Sequence, residues 1–188
     1  MKKLVVLVFF VLAAAGCGAI DKESAAPAAD RCMEKAPDWA ADKTYNTGLS
    51  AIGYAKIISP AGSQFAYFES IVNAREEMER SLEIKVYTVL ENFIHKTGIG
   101  SDQTVSTMAS SVSKQIADKL ITDLKPKAVF QSPCGEMYVL LHIKPNIIQG
   151  AVRESVRTAY RNEDTLWQEF QSEKAVEELD AAIAYEFP

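Results

Sequence analysis

The densest ordered pattern in the chain is helical. After Ser59-Pro60, apolar residues recur at three- and four-residue steps: Phe68, Ile71, Val72, Met78, Leu82, Val86, Val89, Leu90 and Phe93. That spacing collects them on one side of a 3.6-residue helix. Ser59 as N-cap with Pro60 at the first helical position starts it, and Gly98 and Gly100 end it. A helix this long carries a stripe that must lie on a matching apolar surface, so the rest of the chain is read for what supplies one. Val105, Met108, Val112, Ile116, Leu120 and Leu124 form a second stripe, with Asp102 as N-cap and Pro126 as the stop. Its other face is Ser/Thr-rich (Ser106, Thr107, Ser110, Ser111, Ser113) and suits solvent. The two helices are expected to form a hairpin.

Strand patterns flank the hairpin. Leu49 to Ile58 reads as one strand, with Gly53 marking a place where another backbone comes close. Lys127 to Gln131 and Glu136 to Lys144 read as two more, joined by a turn at Pro133-Cys134-Gly135. In the last strand Met137, Val139, Leu141 and Ile143 alternate on one face. The opposite face carries Tyr138 and Leu140 beside His142 and Lys144, so it is not cleanly polar. A sheet with helices on one side should show a polar outer face. This one needs a second cover, either the C-terminal segment or another subunit. The expected fold is α+β: a small antiparallel β-sheet in the order β-α-α-β-β, packed on a helical hairpin and followed by a long C-terminal amphipathic helix.

From Asn146 to the end, Ile148, Val152, Val156, Ala159, Leu166, Trp167, Phe170, Leu179 and Ile183 mark one apolar stripe. Continuous, this helix would run to about 40 residues and roughly 60 Å, more than the small sheet could cover. Patterns that long point to assembly contacts, which makes Tyr138, Leu140, Trp167 and Phe170 the candidate interface. The alternative is a fold-back at Asn162, with the two rings filling the chain's own core.

The amino terminus reads as an address. Met1-Lys2-Lys3 is followed by an unbroken apolar run from Leu4 to Ala15, too short for a membrane span. Ala14-Ala15-Gly16-Cys17 resembles the bacterial lipoprotein signal, although the first position there is more often Leu. The resemblance implies that Cys17 becomes the first residue and carries lipid; several acyl chains hold a protein stably where one does so marginally. Gly18, where an Asp would favour inner-membrane retention, points to the outer membrane. The expected organisation is a signal peptide over 1–16, a lipidated tether over 17–46, an α+β core over 47–145 and a C-terminal helical segment over 146–188. Removing the signal takes away Lys2 and Lys3 and moves the net charge from −5 to −7.

With Cys17 lipidated, Cys32 and Cys134 remain as a pair in an exported protein. In an oxidising compartment such a pair is usually joined. The alternative is two independent thiols.

Pro37-Asp38-Trp39, Ile52-Gly53-Tyr54-Ala55, Asn73-Ala74-Arg75-Glu76, Tyr138-Val139-Leu140-Leu141-His142-Ile143, Leu166-Trp167-Gln168-Glu169-Phe170 and Lys174-Ala175-Val176-Glu177-Glu178-Leu179 resemble the Lpp-twenty family of bacterial surface lipoproteins. The likeness runs from Pro37 to Ile183 and rests on apolar and small-residue positions. It implies a lipid-anchored envelope protein with a compact strand–helix–strand–strand core, in a group that includes surface antigens and components of a disc around the flagellar motor. It supplies no catalytic residues. Cys32 and Cys134 lie outside the family pattern.

Chemistry finds little purchase in the sequence. His95 sits near a helix C-terminus, where a cation is favoured, and His142 lies on a strand. Cys134 and His142 could pair as nucleophile and base but lack an orienting partner. Glu76, Glu77 and Glu79 alternate with Arg75, Arg80 and Lys85 as on a solvated helix face. No metal, phosphate or calcium motif is present in the sequence, so neither catalytic residues nor a cofactor are expected. The acidic balance argues against nucleic acid. Two readings follow. One is a lipid-anchored outer-membrane protein that self-assembles or joins a larger envelope assembly. The other is a monomeric module that binds a small apolar ligand or peptide between hairpin and sheet.

Overall fold

The computed structural model describes residues 32–42, 45 and 48–188. The expected signal peptide, the lipidation site Cys17 and the tether up to residue 31 lie outside the described residues. The elements run α1 (Asp38–Ala41), β1 (Leu49–Lys56), α2 (Ser63–Thr97), α3 (Asp102–Leu120), β2 (Ala128–Ser132), β3 (Glu136–Ile143), α4 (Pro145–Arg161), α5 (Asp164–Phe170) and α6 (Glu173–Glu186). The fold is α+β, with the expected β-α-α-β-β order in its core.

The sheet is antiparallel in the order β1-β3-β2. The strand with the cleanest alternation is therefore the central one. Its Met137, Val139, Leu141 and Ile143 are buried, and β3 packs on α2. Gly53 sits opposite Val139 in the β1–β3 register. There β1 runs so close to α2 that a Cβ at Gly53 would collide with the Ser70 carbonyl oxygen and the Ala74 nitrogen.

This close approach corrects the helix stripe. Against β1, α2 presents small residues, Ala66, Ser70 and Ala74, all fully buried. Phe68 and Val72, expected in the core, are 55% and 51% exposed. Bulky rings could not enter a gap that narrow, so the helix turns them outward. Further along, Met78, Leu82, Val86, Val89, Leu90 and Phe93 are buried as the period requires. Ser70 Oγ, having a single proton, shares it between the carbonyls of Ala66 (2.7 Å) and Met137 (2.9 Å), tying helix to sheet.

The helix ends follow capping chemistry with two shifts. Ser59 precedes a 3₁₀ turn over Pro60–Gly62, and α2 proper begins one residue later. Gly98 closes α2 in the left-handed conformation (φ 74°), its N–H donating to the Ile94 carbonyl. At α3 the N-cap is Ser101, whose Oγ accepts from Thr104 N–H, while Asp102 is the first helical residue. Ser113, read as solvated, is buried and donates to the Ser110 carbonyl.

The continuous C-terminal helix is not formed. The chain breaks after Arg161 and again after Phe170, where Ser172 caps α6 by accepting from Ala175 N–H. The physical reason is the ring cluster this folding makes. Phe170 stacks on Tyr160 at 4.7 Å and on Trp167 at 5.7 Å, and both Phe170 and Tyr160 meet Phe93 of α2. Tyr160 also donates from its hydroxyl to the Ile99 carbonyl. Complete burial raises the Tyr160 hydroxyl's pKa above the ordinary phenol value. Helix α6 then lies along α2, with Leu179, Ile183 and Phe187 in the core.

Candidate functional site

The described residues offer two places where function could reside: the outer face of the sheet and the groove between β1 and α2.

The outer face is covered by the chain itself. The folded unit starts at Cys32, inside the stretch read as tether. Helix α1 lies against β3, and because α2 occupies the inner face, α1 takes the outer one. Ala40 there is fully buried. Cys32 and Cys134 are joined by a disulfide with Cα atoms 5.4 Å apart, and Ser132 Oγ donates to the Cys32 carbonyl at 3.0 Å. The bridge fastens the covering segment to the β2–β3 turn. Tyr45 adds an edge-on contact to His142 at 5.0 Å, and Lys127 Nζ donates to its hydroxyl. The described N-terminal segment therefore lies on the outer face, where the C-terminal segment or another subunit was expected.

The candidate interface is corrected accordingly. Leu140 and Phe170 are each 1% exposed and Tyr138 is 6% exposed. Tyr138 and Leu140 lie on the outer face of the sheet, while Phe170 and the half-buried Trp167 belong to the ring cluster. The structure does not bring the four together. Tyr138 donates to Glu136 at 2.8 Å; burial first, then this bond and the Glu136 charge, push its hydroxyl up to about 12.

Because the bridge closes a loop of about 100 residues, the double variant Cys32→Ser/Cys134→Ser is expected to lose about 2–4 kcal/mol, or roughly 5–15 °C of melting temperature. Thermal unfolding followed by circular dichroism, with and without reductant, measures it. A wild-type melting temperature untouched by complete reduction would contradict the expectation.

His142, which Tyr45 of the N-terminal segment meets edge-on, is shifted as well. Burial lowers its pKa from 6.5, nearby Lys127 lowers it further and Lys144 adds to this, while the Leu49 backbone opposes them. Its buried Nδ1 has no hydrogen bond of good geometry among the described residues. Between the lowered native value and 6.5, the unfolded chain binds more protons than the folded one, so stability falls as pH drops through that window. Melting temperature should decrease on acidification below pH 6.5, and His142→Gln should flatten that part of the profile. A parallel decline in the variant would assign it to other groups.

Cys134 and His142, weighed as nucleophile and base, sit at opposite ends of β3. The Cys134 sulfur is committed to Cys32, and His95 is exposed at the end of α2. Glu76, Glu77 and Glu79 are exposed on α2, with Glu77 paired to Arg80 at 2.8 Å. Arg75, read as part of that solvated face, is half-buried and donates to the Leu124 carbonyl. Among the described residues no group of three or more His, Cys, Asp or Glu side chains could hold a metal ion. No described helix is long and apolar enough to cross a membrane.

The second place was not visible in the sequence. Beside β1 runs an open groove of about 720 Å³, floored by residues 50–56 and walled by Glu69, Asn73 and Glu77 of α2, with Ile58 at one end. Asn73 Nδ2 donates to the Tyr54 carbonyl at 2.9 Å across it.

No family model matches the chain, and no curated protein is similar to it.

Proposed function

We propose that this chain is a lipid-anchored outer-membrane lipoprotein with a non-catalytic, structural or accessory role in a larger envelope assembly. The observation that carries the reading is the apolar run Leu4–Ala15 ending in Ala14-Ala15-Gly16-Cys17. Because Cys32 is fastened to Cys134, about fifteen residues of sequence lie between Cys17 and the bridged end of the described fold. A flagellum-associated disc is the instance that the Lpp-twenty resemblance suggests.

Self-assembly through the outer sheet face or the ring cluster is not part of the proposal, since both are filled from within the chain. The same holds for a small apolar ligand between hairpin and sheet. Val86, Phe93, Val139 and Leu141 close that space, each fully buried.

Intact mass of the native protein tests the anchor. Cleavage before Cys17 with added diacylglycerol and acyl mass is the expected result, and Cys17→Ser should move the protein out of the membrane fraction. An unmodified Cys17, or a variant still pelleting with membranes, would overturn it. Gentle detergent extraction followed by sizing tests the accessory role: a large complex with other envelope proteins supports it, and a bare monomer counts against it.

A further inference from the structure

We propose that the turn before α2 and the first turns of that helix seat on a lipid bilayer, with Ile58, Phe65, Phe68 and Val72 entering its interface. The proposal rests on the reading of Cys17 as a lipid anchor and adds which surface of the domain meets the membrane.

One stripe along α2 changes character part-way. Phe65, Phe68 and Val72 follow one another at steps of three and four, so they share a face. That face is turned away from the sheet: Phe65 is 68% exposed, and Phe68 and Val72 are half-exposed. Ile58, on the turn that leads into the helix, is 89% exposed. Exposed apolar residues standing singly are ordinary, but a group of them with two rings marks a surface that meets something apolar. The same face continues at the same steps with Glu76, Glu79 and Glu83, all exposed. The first turn of α2 holds no acidic residue, although a helix start favours one. The close approach of β1 accounts for these positions facing outward. It does not account for their being rings at one end of the stripe and carboxylates at the other. A bilayer interface does, since it takes up the apolar end and leaves the carboxylates in water, away from phosphate-bearing head groups.

The place where the chain enters the fold points to the same occupant. Ile57 N–H donates to the Gly135 carbonyl at 2.7 Å, and the neighbouring Cys134 is bonded to Cys32, the first described residue. The apolar turn and the point from which the sequence continues back to Cys17 are therefore at one end of the fold. Cys17 stands fifteen residues earlier, a length that spans at most about 50 Å. A lipid on Cys17 thus keeps the Ile58 end within reach of the bilayer. The stripe also argues against a second copy on this helix. Antiparallel pairing would set rings against carboxylates, and parallel pairing would set Glu76, Glu79 and Glu83 against their own copies, a like-charge contact that disfavours association.

The test uses the native protein purified from membranes and reconstituted in phosphatidylcholine vesicles with plain or brominated acyl chains. Intact mass, read on every sample, reports the lipid on Cys17 separately. Tryptophan is added singly by Ile58→Trp, by Phe65→Trp and, as a control at the start of α3, by the exposed Gln103→Trp. Wild type, with Trp39 and Trp167, sets the background. Between the first turns of α2 and the control lies a 35-residue helix, about 50 Å long. Brominated chains should quench the emission added at 58 and 65 by about half or more, as for side chains about 5–10 Å into the head-group boundary, and leave that at 103 unchanged. Phe65→Ser with Phe68→Ser, both at exposed positions, should reduce the quenching at 58 at least about threefold, because interfacial binding scales with buried apolar area, without moving the unfolding transition. Lipidated protein without quenching, equal quenching at all three positions, or a patch shielded by a second copy or by residues 17–31 instead of lipid would overturn the docking and leave the anchor standing. Absence of lipid on Cys17 would overturn both.

Discussion

Replacing Gly53 with alanine is expected to destabilise the domain by about 3 kcal/mol or more, the upper end of the range for overpacking. The added Cβ would overlap the Ser70 carbonyl oxygen and the Ala74 nitrogen, and would lie 2.9 Å from the Ala74 Cβ. Two of these three are backbone atoms of α2, which cannot swing aside as a side chain can. Relief requires the helix to move off the strand, and two contacts resist that movement. Ser70 Oγ ties α2 to the Met137 carbonyl, and Asn73 Nδ2 ties it to the Tyr54 carbonyl. Backbone strain does not enter, because Gly53 is not among the glycines with positive φ. Denaturant unfolding of wild type and Gly53→Ala measures the loss. A variant within about 1 kcal/mol of wild type would mean that strand and helix are not in this close contact. Gly98→Ala offers a contrast: its Cβ would meet nothing within 4 Å, so its cost is that of a left-handed conformation alone, about 1–2 kcal/mol.

Gly53 also shows what kind of structure a sequence discloses. A glycine inside an otherwise apolar strand says that a neighbour comes close, and the neighbour is there. The composition of the opposing surface was harder to read, because Ala66, Ser70 and Ala74 do not register in a count of bulky apolar residues. Phe68 and Val72 do register, and they were placed in the core although they turn to solvent. The central strand was legible because period-two alternation is a local signal. Strand order was not, since it depends on pairings between β1 and β3 that lie far apart in the chain, and the groove beside β1 remained hidden with it. The apolar outer face announces its need of a cover, but Cys32–Asp42, with small residues and Pro37, has the composition of a tether, and only the Cys32–Cys134 pairing converts it into part of the fold. Charge patterning placed Glu77 and Arg80 correctly on a solvated face, yet it could not tell that Glu77 and Glu69 line a groove, for the same reason of strand order.

The C-terminal segment supplies the other large expectation. Phe170→Ala should cost about 3–5 kcal/mol, as for a fully buried aromatic ring. Phe170 joins α4, α5 and α2 through Tyr160, Trp167 and Phe93. If Asn146 to the end were instead one long helix with Phe170 docked on a neighbouring subunit, the same substitution would act differently. It would leave the monomer's stability nearly unchanged and dissociate an assembly. Sedimentation and chemical unfolding of one sample separate the two. The expected result is a large stability loss, an altered Trp167 environment and no change in mass that depends on Phe170. Tyr160→Phe adds a finer measurement at the same cluster. It keeps the ring contacts but removes the hydroxyl that donates to the Ile99 carbonyl, and should cost about 0.5–1.5 kcal/mol. A cluster that responds strongly to ring loss and weakly to hydroxyl loss is held by packing. In that case the break after Arg161 follows from the drive to bury Phe170 within its own chain.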